Sequence, residues 1–184
     1  EVGRGPLAGP VMAAAVVLPS DCNYLWLAQV RDSKLLTARV REYLAQRIRE
    51  VAMVGTAAVP PAAVDALGIA VASRRAMLLA VQALPQPPHH LLVDGFALPE
   101  CPLPQTPMVD GDARSLSIAC ASIVAKVQRD QLMAEVDFRY PGYGFARHKG
   151  YATAEHRAAL ARLGPCPIHR RSFAPVRALL EARA

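Results

Sequence analysis

Long apolar runs are missing from this sequence: no stretch reaches the approximately 20 residues that a helix needs to cross a bilayer. Together with an N-terminus that is not signal-like, this leaves membrane residence unsupported. Close cysteine pairs are missing as well. Cys22, Cys101, Cys120 and Cys166 stand far apart with no zinc-ligand spacing, so reduced structural thiols are expected rather than disulfides or a structural zinc. No repeat and no low-complexity linker divides the chain. Ser33, Ser117 and Ser122 lack the companions of a nucleophilic triad, which turns attention from covalent catalysis to other chemistry.

What is present is enough for one well-filled core. The chain has 184 residues, 53% of them apolar, and its Gly and Pro act as scattered punctuation, a composition suited to a globular α/β or α+β chain. The net charge of +6 is unevenly distributed. Residues 139–184 carry nine Arg or Lys against Glu155 and Glu181, a local +7 that leaves the remainder at −1. Such asymmetry suits a polyanionic partner through attraction and counterion release, although a solvated basic helix would give the same count.

The opening Glu1-Val-Gly-Arg-Gly-Pro-Leu-Ala-Gly-Pro10 is too rich in Gly and Pro for a regular element, and the apolar run Val11 to Leu18 reads as a buried strand. Tyr24 to Val30 reads as a further extended segment. Thr37 is a candidate N-cap for an amphipathic helix carrying Val40, Leu44, Ile48 and Val51 at helical spacing. Ala52 to Val59 reads as a strand, and Ala62 to Leu84 as a helical stretch despite Gly68. His90-Leu-Leu-Val-Asp94-Gly95 delivers a carboxylate to the end of a strand. Met108-Val109 is expected to deliver Asp112 in the same way. A long helix is predicted from Leu116 to about Phe138, and a later one between the caps Thr153 and Gly164.

Glu1, Asp94 and Asp112 all flank segments expected to be ordered. If they converge, their oxygen ligands suit Mg²⁺ or Mn²⁺, and cations held by shared carboxylates could activate water and stabilise a departing 3′ oxygen in phosphodiester hydrolysis. Three unrelated surface acids would look the same at this level. The surrounding motifs carry more weight. Glu1-Val-Gly-Arg-Gly-Pro-Leu-Ala-Gly-Pro10, Asp32-Ser33-Lys34, Val93-Asp94-Gly95, Gly111-Asp112, Ser117-Ile-Ala-Cys-Ala-Ser-Ile-Val-Ala-Lys-Val-Gln-Arg-Asp130, Tyr143-Gly-Phe-Ala-Arg-His-Lys-Gly-Tyr151 and His169-Arg-Arg-Ser-Phe-Ala-Pro-Val176 follow one another in the order seen in ribonuclease HII, the type 2 ribonuclease H. The sequence resembles that family over almost its whole length.

The resemblance implies an α/β ribonuclease H-like fold: a mixed five-stranded sheet with flanking helices and a helical C-terminal portion. It implies residues 1–184 as one catalytic domain, with 139–184 as its basic substrate-contact portion, acting as a monomer. Glu1, Asp94 and Asp112 resemble the second, third and fourth members of an Asp-Glu-Asp-Asp metal-binding set whose first Asp would immediately precede Glu1. A truncated first strand is accordingly expected. Gly3, Arg4 and Gly5 resemble the loop that approaches the ribose 2′-hydroxyl, and Tyr151 the tyrosine that packs at the ribonucleotide-to-DNA junction. Lys34, His148, Lys149, Arg170 and Arg171 are candidates for phosphate contacts. Asp130 is expected to pair within its helix rather than bind metal, and His169 to be a local hydrogen-bond partner. Asp110 replaces a lysine common in the family, which would weaken phosphate attraction beside Asp112.

The function implied is cleavage of the RNA strand of RNA:DNA hybrids, and of duplex DNA on the 5′ side of embedded ribonucleotides, supported by Mg²⁺ or Mn²⁺. Two alternatives stand beside it: a catalytically impaired hybrid-binding homologue, and a noncatalytic assembly domain that keeps the fold.

Overall fold

In the computed structural model, residues 1–182 are described; positions 183 and 184 of the expected basic portion lie outside the described residues. Alternation builds the first layer. Strand β1, Val11–Val17, pairs antiparallel with β2, Met53–Val59, over its whole length from Val11 opposite Val59 to Val17 opposite Met53. Val11, Ala13 and Ala15 turn towards helix α3, Ile69–Gln82, packing with Ala72, Ala76 and Ala80. Ala14 and Val16 face the other way, towards α1, Ala38–Val51, and α5, Leu116–Arg139. Two-residue periodicity thus buries both faces of one ribbon between helices.

The helix boundaries follow local chemistry. Thr37 caps α1 by accepting the Val40 amide at 3.4 Å, and Leu44 and Ile48 turn inward to meet Cys120, Ile123 and Val124 of α5. Pro61 starts the short helix α2, Pro61–Leu67, which gives way to α3 at Gly68, so the stretch from Ala62 to Leu84 is two helices where one was expected. The segment expected to be extended around Tyr24 is a 3-10 turn, Leu25–Gln29. Tyr24 and Trp26 stack there at 5.7 Å.

A second small sheet carries the first acidic residue. Strands β3, Leu91–Asp94, and β4, Gln105–Met108, run parallel. The expectation of one mixed five-stranded sheet is overturned: among the described residues the strands form two separate pairs, β1 with β2 and β3 with β4. The physical reason lies between them. A cavity of about 530 Å³, lined by Ala14–Leu18 of the first ribbon and Leu91–Asp94 of the second, separates their facing edges, so no ladder joins them. The expectation of a truncated first strand is overturned too, because β1 is full-length and paired at all seven positions, with Val2 bridging Met12 on its other edge.

Beyond β4 come a helical turn, α4, Gly111–Arg114, and then α5, whose N-cap Ser115 accepts the Ile118 amide. Three further helices follow: α6, Phe145–His148; α7, Ala154–Leu163; and α8, Ala174–Glu181. Thr153 and Gly164 stand at the two ends of α7, as their residue types predict. These helices fold the C-terminal third back onto the opening loop, with Leu7 packed against Leu160 and Val176, and Ala8 against Met133 and Phe145. No helix among the described residues is long and apolar enough to cross a membrane, and all four cysteines are free.

Candidate active site and nucleic-acid interface

Asp94 ends β3, where its Oδ1 accepts the Gly111 amide at 3.0 Å. That bond draws the turn bearing Asp112 against the strand end. Asp112 lies in the first turn of α4 rather than at a strand end as expected, because Asp110 takes a left-handed conformation (φ 52°) and reverses the chain before β4 can continue. Burial raises the Asp112 carboxyl above its ordinary value, and the charges of Asp32 and Asp94 raise it further, with Lys34 opposing them. Asp32 caps the turn Ser33–Leu35 by accepting the Lys34 amide at 2.9 Å. Three carboxylates and one exposed lysine therefore share one electrostatic neighbourhood. Glu1 lines the same cavity as Asp94, its carboxylate accepting from Arg4 at 3.3 Å. Even so, no group of three or more His, Cys, Asp or Glu among the described residues is arranged to hold a metal ion. Asp130 pairs with Lys126 at 2.7 Å within α5, as its spacing predicts.

The recognition candidates form a second group. Gly3 is buried, Arg4 and Gly5 are exposed, and a Cβ placed on Gly5 would stand 3.9 Å from the ring of Tyr151, itself 45% exposed. A Gly-Arg-Gly loop and an accessible aromatic ring thus lie side by side, the combination needed to touch a sugar and stack on it. Lys34 and Arg171 are exposed and available to phosphate, although the Arg171 backbone is tied to Asp65. Lys149 is half-buried and donates to the Ala146 carbonyl. His148 and Arg170 are buried. Each Arg170 side-chain nitrogen donates to a backbone carbonyl of the opening loop, and the fully buried side chain is not presented to the surface.

Behind Tyr151 lies a chain of imidazoles. His156 donates from Nδ1 to the Tyr151 carbonyl at 2.9 Å, which leaves its Nε2 to accept from His169 Nε2 at 3.1 Å. His169 Nδ1 in turn accepts the Cys166 amide at 3.0 Å. The His148 and His156 rings stack with centroids 4.4 Å apart. Burial pushes His169 down from its ordinary 6.5 to about 4, helped by His156, and burial lowers His156 as well. The unfolded chain therefore takes up protons before the fold does. Stability is expected to decline as pH falls from 6.5 towards about 4 and to level off below that. Imidazole NMR titration alongside thermal melts checks this, and a His169 that titrates near 6.5 in the folded chain would refute it.

A profile of the ribonuclease HII family matches residues 1–176. The chain belongs to the ribonuclease HII family. Ribonuclease HII of Geobacillus kaustophilus is 55% identical over 183 residues, spanning 99% of this chain and 69% of that protein. Ribonuclease HII of Dehalococcoides mccartyi is 52% identical over 182 residues, spanning 98% of this chain and 86% of the relative. Among solved structures, ribonuclease H2 from Pyrococcus horikoshii superposes with a TM-score of 0.81 over 99% of this chain and 95% of its own, at 23% identity, a likeness that speaks to fold. As a ribonuclease HII family member the chain is a ribonuclease H-type enzyme, a nuclease of the RNA:DNA-hybrid class.

Sequence reading of this ribonuclease HII chain left three participants unassigned. Asp32 and Arg129 stand inside family motifs without an assigned role, and His156 stands in none. Arg129 acts on a segment remote in sequence and His156 on partners five and thirteen residues away, whereas Asp32 has a local signal, the Asx turn it makes with Lys34.

Proposed function

We propose that the chain binds RNA:DNA hybrids and ribonucleotide-containing duplex DNA through the Gly3-Arg4-Gly5 loop and Tyr151, and that this recognition is more fully built than its cutting chemistry. The supporting observation is the placement of the loop against the Tyr151 ring, on a loop whose carbonyls are held from within by Arg129 and Arg170. The carboxylates have no comparable assembly. In this reading Gly3, Arg4, Gly5 and Tyr151 contact the ribose at the junction. Lys34, Lys149 and Arg171 position the phosphate backbone without reading sequence. Residues 1–184 act as one catalytic domain, monomeric and cytoplasmic, with 139–184 as the basic substrate-contact portion.

A second reading, endonucleolytic cutting on the 5′ side of a ribonucleotide to leave a 3′-hydroxyl and a 5′-phosphate, draws support from the crowding of Asp32 and Asp94 about Asp112. Like charges held together in a half-buried place are relieved by a cation, and an all-oxygen donor set suits Mg²⁺ or Mn²⁺. Glu1, Asp94 and Asp112 would hold it. Bound there, a divalent cation would supply an activated water and stabilisation of the departing oxygen. Asp94 orients the Asp112 turn through the Gly111 amide, and Lys34 offers a positive charge beside the carboxylates.

Binding in EDTA to three matched duplexes, one RNA:DNA hybrid, one with a single ribonucleotide and one all DNA, tests the first reading. The parent chain is expected to prefer the two ribose-containing duplexes, and Tyr151→Ala to lose roughly tenfold of that preference, in line with an aromatic stacking contact of about 1–3 kcal/mol. Equal affinity of the parent for all three duplexes would reject it. Rapid cleavage on adding Mg²⁺ or Mn²⁺ would favour the second reading over impaired chemistry.

A further inference from the structure

Two buried guanidiniums from the C-terminal third of the chain meet the opening loop. Arg129 of α5 donates from Nε to the Pro10 carbonyl at 3.0 Å, from Nη2 to Ala8 at 3.1 Å and from Nη1 to Lys149 at 3.0 Å. Arg170 donates from Nε and Nη2 to Gly9 at 3.0 and 2.8 Å, from Nη1 to Arg4 at 2.8 Å and from Nη2 to Gly3 at 2.5 Å. Both side chains are essentially inaccessible, at 1% and 0% exposure, and neither forms an ion pair among the described residues.

A buried arginine is ordinarily matched by a carboxylate, because a desolvated charge is costly without a counter-charge or dense hydrogen bonding. Here the matching group is the loop backbone. Turning the Gly3, Arg4, Ala8, Gly9 and Pro10 carbonyls inward leaves the exposed Arg4 and Gly5 units facing solvent beside Tyr151. Gly3 is necessary to this arrangement: it holds φ +85°, and a Cβ there would strike the Arg129 side chain. The Gly3-to-Pro10 conformation is thus written largely by two side chains that no substrate can touch.

We infer that Arg129 and Arg170 are positioning residues for ribose discrimination, a paired guanidinium clamp that holds the Gly3-Arg4-Gly5 loop in its substrate-reading conformation. The inference rests on the reading of that loop as the ribose sensor. The clamp requires the planar fork. A lysine keeps the charge but, as a single ammonium, cannot reach the Gly3, Arg4 and Gly9 carbonyls together. Burial, with Arg129 nearby, brings Arg170 down to about 10, which keeps it protonated at neutral pH. The Arg170 guanidinium also lies over the Phe173 ring at 5.0 Å, which fixes its plane from below.

Arg170→Lys and Arg129→Lys, made separately in the full chain, test the clamp by two readouts. The first is the ratio of affinities for the single-ribonucleotide duplex over all-DNA duplex, measured by fluorescence anisotropy in EDTA. The second is hydrogen–deuterium exchange at the Leu7 and Gly9 amides, which bond to the Gly150 and Ile168 carbonyls. The ratio is expected to fall roughly tenfold in each variant while all-DNA affinity stays within about twofold, because charge is kept and only geometry is lost. Exchange at the two amides should quicken in parallel. A folded variant that keeps the parent's ratio overturns the inference, as does a loss equal for both duplexes. If one variant fails to fold, the other carries the same comparison, and failure of both to fold overturns a role confined to positioning. A parent with no ribose preference refutes the underlying reading instead, leaving the exchange data to report on the clamp alone.

Discussion

Asp112→Asn is expected to separate binding from cutting: affinity for RNA:DNA hybrid in EDTA should rise several-fold, while cleavage supported by Mg²⁺ or Mn²⁺ falls by on the order of a hundredfold or more. The substitution keeps shape and removes one charge from a place where Asp32 and Asp94 already crowd the carboxyl. Less repulsion towards the incoming phosphates accounts for the first effect. Loss of the anionic carboxylate, which an amide oxygen replaces only weakly towards a divalent cation, accounts for the second. The fold should gain slightly in thermal stability, since the raised Asp112 carboxyl marks a charged form that the folded chain disfavours. Anisotropy, a gel-based cleavage assay and a thermal melt on one preparation suffice. Cleavage at the parent rate would remove Asp112 from the candidate centre, and weakened binding would show that the local field is not governed by these acids.

The largest stability effect is expected at Gly55, a packing position with no part in the proposed chemistry. This residue of β2 lies so near the end of α3 that an added Cβ would collide with the Ala80 carbonyl oxygen, with the Leu84 nitrogen at 2.8 Å and the Ala83 carbonyl carbon at 2.9 Å. All three are backbone atoms, which cannot swing aside as a side chain could. Gly55→Ala must push α3 off the β1–β2 ribbon, opening the layer where Ala72, Ala76 and Ala80 meet Val11 and Ala13. Overpacking of this kind costs about 3 kcal/mol, which for a chain of this length lowers the thermal midpoint by roughly 10 °C. Gly68→Ala is the comparison. Gly68 holds φ +76° with open space around it, so its cost is conformational alone, about 1–3 kcal/mol. Gly55→Ala melting at or above the temperature of Gly68→Ala would show that the ribbon and helix can part without loss.

Elements governed by neighbours in sequence were legible beforehand. Thr37 and Thr153 cap the helices their residue types announce, Val11 to Val17 forms the strand its apolar run suggests, and α5 spans Leu116–Arg139 where Leu116 to about Phe138 was expected. Asp94 arrives at a strand end for the same reason. Sheet membership was not legible, because whether two ribbons join depends on the distance between edges remote in sequence, here parted by a cavity. Asp112 was misplaced onto a strand since the left-handed turn at the non-glycine Asp110 gives no strong local signal. Charge was the least informative guide. Arg170 looks like a phosphate ligand in the sequence, yet the fold spends its donors on carbonyls of the opening loop. A basic residue among other basic residues does not declare which way it faces.

The same contacts dictate an order of events during synthesis. The bonds from Arg170 to Gly3 and Gly9 span 167 and 161 positions, so the first ten residues leave the ribosome long before the side chain that shapes them exists. Local helices can form early and the β1–β2 pairing once residue 59 is made, whereas loop closure over 161 to 167 positions comes late. The Gly3-to-Pro10 segment therefore takes its clamped conformation only after Arg170 has been made. A nascent chain halted before Arg170 would carry Glu1, Asp94 and Asp112 together with an opening loop that lacks its Arg170 contacts.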